Sequence, residues 1–240
     1  MDAVIHLAGA GIADQRWTPA RRRVLRDSRC STTTHLIDGL NQLDAPPGVL
    51  LQASAVGFYG DRGDTVLDES ASPGSGFLAE LSQAWEVSGA CFEPVGRRCV
   101  LRLGAVLGAD GGMLQRVLRP FRYGVGGRLG NGKQWFPWIS ITDVCRVCAF
   151  LIDSTSMHGP CNACAPTPVP NAIFTQALGT AVSRPTFAAV PAPLLRLALG
   201  AMASELLLAS QRVVPARLLE AGFDFKHPTI DAALAHILRN

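Results

Sequence analysis

The sequence predicts an α/β protein in which a parallel β-sheet is followed by a smaller C-terminal α+β lobe. Short apolar runs alternate with longer segments that carry helix signals, and this alternation is typical of parallel strands joined by right-handed crossovers. Hydrophobic residues make up 48% of the 240 residues and charged residues only 17%, which is enough apolar surface for a large core. After about residue 160, short strands mix with helices, and this change predicts the smaller lobe.

Three strands are predicted from apolar runs that end in small residues. They cover residues 4–7, 49–54 and 98–103. A run as apolar as the first is expected inside a sheet that is covered on both faces. Because this run opens the chain, we expect a sheet that lacks its first strands. Its exposed edge would favour pairing with a second copy.

Helix signals separate these strands. Thr18 followed by Pro19 predicts the N-cap and first turn of a helix that continues to about residue 40. Thr142 and Asp143 predict the cap of another helix that ends near residue 152. The remaining helices are expected over residues 76–90 and 111–121 and from about residues 171, 191, 215 and 229, and the later strands over residues 161–164 and 187–190.

Charge and cysteine content limit the possible partners and compartments. A net charge of +3 is too small to indicate a nucleic-acid partner. Six arginines lie between Arg16 and Arg29, a pattern that fits a solvated helix face, a phosphate site or nucleic-acid contacts. The sequence has no signal-peptide pattern, and residues 191–209 contain two charges and two prolines, so no membrane association is expected. Seven cysteines, an odd number, favour reduced thiols and a cytoplasmic location.

Three stretches resemble ligand-binding motifs, but their predicted structural context does not fit those motifs. Gly9, Gly11 and Asp14 nearly match a G-x-G-x-x-G fingerprint, but the helix start at Thr18 comes too late to present its amides to a pyrophosphate. Residues 127–133 resemble a P-loop without its Ser or Thr, and a glycine-rich loop over residues 124–134 is the simpler reading. Two C-x-x-C pairs, at residues 145–148 and 161–164, lie on a helix and a strand where four sulfurs cannot converge, so no metal site is expected.

The ends of the strands carry the pattern that points to function. In an open parallel sheet, ligands bind at the carboxyl ends of the strands, and small residues there let a flat cofactor approach the backbone. Ser54 ends the second strand, where its hydroxyl can bond a substrate oxygen. The residues expected to line the cofactor site are Leu7, Ala8, Gly9, Ala53, Arg102, Leu103 and Gly104.

Taken together, these stretches resemble an atypical or extended short-chain dehydrogenase/reductase of the NAD-dependent epimerase/dehydratase-like family, the nucleoside-diphosphate-sugar epimerase-like group with its own C-terminal domain. The resembling stretches include SAVGFYGDRGD, LRLGAVLGADGGML and SQRVVPARLLEAGFDF. The resemblance covers nearly the whole chain. It implies a partial, Rossmann-like NAD(P)-binding domain over residues 1–160, a C-terminal lobe over residues 161–240, and NADP or NAD as the cofactor.

Two departures from the family's pattern affect the expected activity. The strand, glycine-rich loop and helix that open family members do not precede the turn at residues 7–9, so the resemblance implies an N-terminally truncated fold that binds NADP(H) weakly. The superfamily's catalytic Tyr-x-x-x-Lys would fall at Phe77 and Leu81. Neither side chain can exchange a proton.

The resemblance also implies a function and its residues. We expect an NAD(P)-dependent oxidoreductase or epimerase that transfers a hydride with a small, sugar-nucleotide-like substrate. Ser54 matches the superfamily's catalytic serine, and Tyr59, the only nearby phenol, either supplies a proton or has a structural role in its turn. Lys133, Gln134 and Trp135 are expected on the substrate side. The alternative is a non-catalytic dinucleotide-binding sensor or scaffold, which the absent Tyr-Lys pair favours.

Overall fold

The computed structural model describes residues 2–92 and 96–239. The helices among these residues are α1 (Pro19–Asp27), α2 (Cys30–Asn41), α3 (Phe77–Ser88), α4 (Gly112–Arg122), α5 (Ile141–Asp153), α6 (Asn171–Ala181), α7 (Ala192–Leu199), α8 (Ala216–Glu220) and α9 (Ile230–Arg239). The strands are β1 (Ala3–His6), β2 (Val49–Ala55), β3 (Val66–Leu67), β4 (Arg97–Leu103), β5 (Ala105–Leu107), β6 (Gly127–Leu129), β7 (Trp135–Phe136), β8 (Trp138–Ser140), β9 (Gly159–Ala163), β10 (Val169–Pro170), β11 (Ala188–Val190) and β12 (Arg212–Val213).

A parallel four-stranded sheet organises the molecule. Its strand order is β1-β2-β4-β9. Ala3 lies opposite Val49, so the predicted pairing of the opening strand with the second strand is confirmed. Helices connect each strand to the next, and all four carboxyl ends therefore meet at one edge, called here the carboxyl edge. β1 is the outer strand, and its far side pairs with no other strand that the structure describes.

The two faces of this sheet differ in chemistry. On the apolar face, Leu51, Leu101 and Cys161 pack against α5 and against a C-terminal segment that contributes Phe223 and Phe225. The polar face lies under α2 and α3, and it carries buried polar side chains beside the apolar Leu50 and Val100. Its buried polar side chains include Gln52, Ser54, Arg102 and Asn162. Because successive side chains of a strand alternate between faces, neighbouring residues of β4 divide between these two surfaces.

The sequence predicts one helix from Thr18 to about residue 40, and this prediction is wrong. The segment forms two helices, α1 and α2, with a break between Asp27 and Cys30. Thr18 caps α1 as expected, and its hydroxyl accepts a hydrogen bond from the Arg21 amide at 3.2 Å. α1 ends at Asp27, where the chain is tied to the loop after β1. The Ser28 hydroxyl accepts a bond from the Ala10 amide at 3.0 Å, and this long-range contact is invisible to helical periodicity.

Three further details differ from the sequence-based expectations. The cap of α5 is Ser140, not Thr142 and Asp143, because the Ser140 hydroxyl accepts the Asp143 amide at 3.1 Å. The predicted glycine-rich loop contains β6, which pairs in parallel with β11. The expected lobe boundary at residues 160 and 161 falls inside β9, a member of the main sheet. The division of the chain into two lobes stays a prediction.

The C-x-x-C pairs do not form a group in the structure. Cys161 belongs to the apolar face, whereas Cys164 packs beside Phe58 and Tyr59 in a separate cluster. Cys145 is exposed on α5 and Cys148 is buried. Among the described residues, no three or more His, Cys, Asp or Glu side chains are placed to share a metal ion, and no helix has the length and apolar content needed to cross a membrane.

Candidate functional site

The carboxyl edge brings the predicted strand ends together. Ser54 lies opposite Arg102, and Leu103 lies opposite both Ala55 and Ala163. The backbone is close-packed where β4 ends. A Cβ atom at Gly104 would lie 3.1 Å from the Pro137 carbonyl oxygen, closer than most such contacts. Glycine therefore allows the chain to leave β4 at this point.

The seven predicted cofactor residues divide by accessibility. Those after β1 are exposed and form an open rim; they are Leu7, Ala8 and Gly9. Leu103 is half-buried at the end of β4. The other three are buried; they are Ala53, Arg102 and Gly104. The accessible part of the predicted site is thus the loop after β1 and the end of β4.

A buried network of polar side chains lies directly beneath this edge. The Ser54 hydroxyl donates to Glu86 Oε1 at 2.7 Å. Arg102 forms a two-pronged ion pair with Glu86, at 2.9 and 3.0 Å, and also donates to the Tyr59 hydroxyl at 3.0 Å. That hydroxyl in turn donates to Asn162 Oδ1 at 2.7 Å. The network joins three neighbouring strands and α3 and gives its polar groups partners, as burial requires.

The network constrains what Tyr59 and Arg102 can do. The Tyr59 side chain is fully buried, and this burial raises its pKa to about 12. Its phenol has no exposed surface toward a substrate, an arrangement that favours the structural role over proton donation. The Arg102 guanidinium lies 3.5 Å from the centre of the Phe58 ring and bonds other side chains. It therefore faces protein partners and not the open rim.

The positions of the family's Tyr-Lys pair hold an apolar cluster. Phe77 packs edge-on against Trp17, with ring centres 5.0 Å apart. Leu81 lies in the same cluster with Leu25 and Met202. These side chains offer no acid or base. If the protein transfers a hydride, the accompanying proton must come from another group or from water.

A carboxylate from the C-terminal third closes the start of α3. α3 has no side-chain cap of its own, and Gly76 precedes it with a φ of +102°, a conformation that favours glycine. Glu205 supplies the cap, because its Oε2 accepts the Leu78 amide at 2.8 Å. An acidic group at a helix N-terminus satisfies free amides and interacts favourably with the helix dipole.

The three residues expected on the substrate side have different environments. Lys133 is exposed. Gln134 is buried, and its amide donates to the carbonyls of Leu129 and Leu207. Trp135 donates its indole N–H to Asp64 at 2.9 Å, and the Arg212 guanidinium lies 4.5 Å from its ring centre. The side-chain N–H groups of Gln134 and Trp135 thus bond protein acceptors, whereas the Lys133 side chain is exposed. The substrate role of all three residues stays a prediction.

Sequence reasoning missed the partners that complete the network. Asn162 had a visible signal, since a polar residue in an otherwise apolar strand needs a buried partner. Glu86 had none, because it lies on α3 and its contact with Arg102 depends on helix-to-sheet packing.

Family models match most of the chain. The model described as NAD dependent epimerase/dehydratase family matches residues 1–162, and one described as a domain of unknown function, DUF1731, matches residues 190–237. "Epimerase family protein Mb2239" of Mycobacterium bovis is 45% identical over 237 residues, which cover 98% of this chain and 78% of the relative.

Solved structures have the same fold. The crystal structure of human epimerase family protein SDR39U1 (isoform2) with NADPH superimposes with a TM-score of 0.96 at 32% identity, over 100% of this chain and 82% of that one. A nucleoside-diphosphate sugar epimerase from Corynebacterium glutamicum gives 0.81 at 35% identity, over 99% of this chain and 46% of that one. The expected α/β fold with a Rossmann-like sheet is confirmed by these likenesses.

Proposed function

Because this chain belongs to the NAD dependent epimerase/dehydratase family, we propose that it binds NADP(H) along the carboxyl edge and transfers a hydride to or from a small substrate. Its function is NAD(P)-dependent and epimerase-like, as the sequence resemblance implies. The substrate is a hydroxyl- or carbonyl-bearing compound, and a sugar nucleotide is our first candidate. The human relative crystallised with NADPH supports the choice of NADP(H).

The observation that carries the proposal is the alignment of four parallel strand ends at one accessible edge. Ligands of open α/β sheets bind at this edge. Ala8 and Gly9 form the exposed rim after β1, and Leu103 is half-buried at the end of β4. We assign the cofactor to this surface. α1 does not begin until Pro19, so the loop after β1 lacks the immediate helix start that usually holds a pyrophosphate.

Within the site we assign distinct roles to the two hydroxyl residues. The Ser54 residue is 2% exposed, and its hydroxyl donates its proton to Glu86; we propose that its remaining lone pairs accept a hydrogen bond from a substrate hydroxyl that enters the carboxyl edge beside it. Tyr59 is a positioning residue that holds Arg102, and Arg102 in turn holds Glu86. Comparing Ser54→Ala with wild type tests this assignment, since loss of substrate orientation lowers kcat without changing NADPH affinity.

The proposed cofactor site is tested by a substitution that adds a negative charge to the exposed rim after β1. Ala8→Glu places a carboxylate in the open rim, where it repels the negatively charged cofactor, and we expect NADPH affinity by calorimetry to fall about tenfold, ~1.4 kcal/mol. The matched control is Ala232→Glu, at an exposed position of α9, with an expected change below about twofold. Equal effects of the two substitutions, or no NADPH binding by the unmodified chain at millimolar concentration, would refute the cofactor site.

A non-catalytic dinucleotide sensor is the second candidate function. The observation that favours it is the apolar cluster at Phe77 and Leu81, where no proton donor is present. A panel of carbonyl compounds, assayed through the absorbance of NADPH, separates the two functions. NADPH binding without turnover of any compound would support the sensor, whereas turnover would support the enzyme.

We also propose that two copies associate through β1. Its outer edge is open in the described sheet, and Ile5 and Leu7 are about half exposed beside it. Open apolar edges favour strand pairing. Light scattering of the wild type and of Ile5→Lys tests this, and a monomeric wild type would exclude it. We further propose that the protein is cytoplasmic and that it divides into two lobes, over residues 1–160 and 161–240.

A further inference from the structure

The six arginines between Arg16 and Arg29 do not form one solvated face. Arg16, Arg23 and Arg26 are exposed. Three of the six donate to backbone carbonyls: Arg16 to Leu197, Arg21 to Gly11 and Arg29 to Ala10. Arg22 is the remaining member of the group, and its environment differs from that of the other five.

Arg22 is a half-buried cation that donates to no acceptor within the part of the chain that the structure describes. Its guanidinium carbon lies 4.9 Å from the centre of the Phe77 ring and 6.0 Å from that of Trp17. Its Nε is shielded from solvent and finds no hydrogen-bond partner among the described residues. A shielded donor that stays unbonded is destabilising, because it has lost its hydrogen bonds to water. The aromatic rings favour the charge but accept no N–H bond from Nε.

The surroundings of Arg22 add positive charge. The Nε of Arg21 is likewise shielded and unpartnered. The nearby carboxylates already have partners: Asp14 pairs with Arg116 at 2.6 Å and lies 3.8 Å from Arg21, and Glu205 caps α3. The Nε atoms of both arginines are too enclosed for an anion to reach, but the two Nη groups of Arg22 are not among the shielded atoms and face the first turn of α3 as accessible donors.

We propose that Arg22, with Arg21 beside it, binds a phosphate or carboxylate group at the start of α3. A guanidinium presents its N–H groups as a planar fork that matches both anions. Ala10 and Ile12 of the loop after β1 pack into the cluster that contains Phe77 and Trp17, which places this anion site next to the open rim. The anion belongs either to the dinucleotide or to a separate small molecule.

The test uses inorganic phosphate as the probe. Phosphate affinity of the 240-residue protein is measured by calorimetry against sodium chloride of equal ionic strength. We expect Arg22→Gln to weaken it at least tenfold and Arg22→Lys to weaken it less, since lysine keeps the charge but not the fork. The control is Arg119→Gln, an exposed arginine of α4, with a change below about twofold. Equal affinities of Arg22→Gln and Arg119→Gln would overturn the proposal.

A second measurement guards against misfolding of the variants. Phenylglyoxal modifies accessible arginines, and peptide mass spectrometry of the wild type should show at least threefold slower labelling of Arg22 in phosphate. Unchanged labelling of Arg22 would overturn the site. Repeating the calorimetry with saturating NADPH identifies the source of the anion. Displacement of phosphate by NADPH assigns the site to the dinucleotide, and retained phosphate binding assigns it to a separate ligand.

Because the first phosphate titration contains no cofactor, its result does not depend on whether the protein binds NADPH. The anion site and the proposed cofactor site can therefore fail independently.

Discussion

The two faces of the four-stranded sheet are held by different forces. Leu101 points to the apolar face, where it is fully buried among aliphatic and aromatic side chains. Arg102, the next residue of β4, points to the polar face and bonds Glu86 and Tyr59. Hydrophobic contacts tolerate small rearrangements, whereas an ion pair with hydrogen bonds demands one register. The comparison suggests that the apolar face supplies stability and the polar face fixes the geometry beneath the carboxyl edge.

The largest effect is expected from breaking the ion pair of the polar face. Arg102→Met removes the cation that pairs with the Glu86 carboxylate and donates to the Tyr59 hydroxyl, and we expect a loss of about 3–5 kcal/mol in unfolding free energy by urea titration. The control is Arg146→Met, whose exposed guanidinium lies 3.8 Å from the buried Asp143 carboxylate, with an expected loss of about 1 kcal/mol or less.

A double substitution sharpens this test. Arg102→Met combined with Glu86→Leu removes both charges, and we expect the double variant to regain part of the lost stability. If it is as unstable as the sum of the single variants, the two residues do not act as a pair, and the polar face has no special role in the register.

On the apolar face, Leu101→Ala should cost about 2–5 kcal/mol, because it leaves a cavity in a close-packed cluster. The loss should be the same at pH 6 and pH 8, because burial raises the pKa of the cysteine thiols in this cluster, among them Cys99 and Cys161, and they stay protonated in this range. The control is Leu194→Ala, a leucine that is 55% exposed and whose truncation should cost less than about 0.5 kcal/mol. Equal losses at the two leucines would contradict the burial on which the comparison depends.

The smallest effect is expected at Tyr59. Tyr59→Phe removes hydrogen bonds worth about 1 kcal/mol at neutral pH. In the native protein the pKa of Tyr59 is raised to about 12, whereas an unfolded tyrosine ionises near 10. The unfolded chain therefore loses its proton first, and stability should decline between about pH 10 and 12.

The protein contains a matched control for this alkaline effect. Tyr123 is the second of its two tyrosines and is 84% exposed. Denaturant midpoints measured from pH 8 to 11 should fall less steeply in Tyr59→Phe than in the wild type, and Tyr123→Phe should follow the wild type. Identical pH profiles for all three proteins would show that the phenol at residue 59 is not shielded.

The sequence predicts where the strands lie better than it predicts which distant residues contact each other. β1, β2 and β4 were expected within a residue or two of their observed bounds, because continuous apolar runs mark buried strands. The break between α1 and α2 was missed, since Ser28 makes its decisive contact with Ala10, in a different part of the chain. Local patterns contain no information about such a contact.

The same limit applies to the site. Ser54 and the strand ends could be chosen from the sequence because parallel strands place their carboxyl ends together. The burial of Tyr59 could not be predicted from the sequence, because it depends on the strand register that sets Arg102 opposite Asn162. Likewise, the arginine cluster was visible in the sequence, but only packing against Phe77 distinguishes Arg22 from its neighbours.

The cap that Glu205 provides for α3 has a consequence for biosynthesis. A ribosome makes the chain in the N- to C-terminal direction, so Leu78 leaves the exit tunnel long before residue 205 is translated. During that interval the first turn of α3 depends on water for the hydrogen bonds that the carboxylate later accepts. The carboxyl edge thus reaches its final form only when most of the protein has been made, and a nascent chain stalled before that point would carry an unfinished helix start.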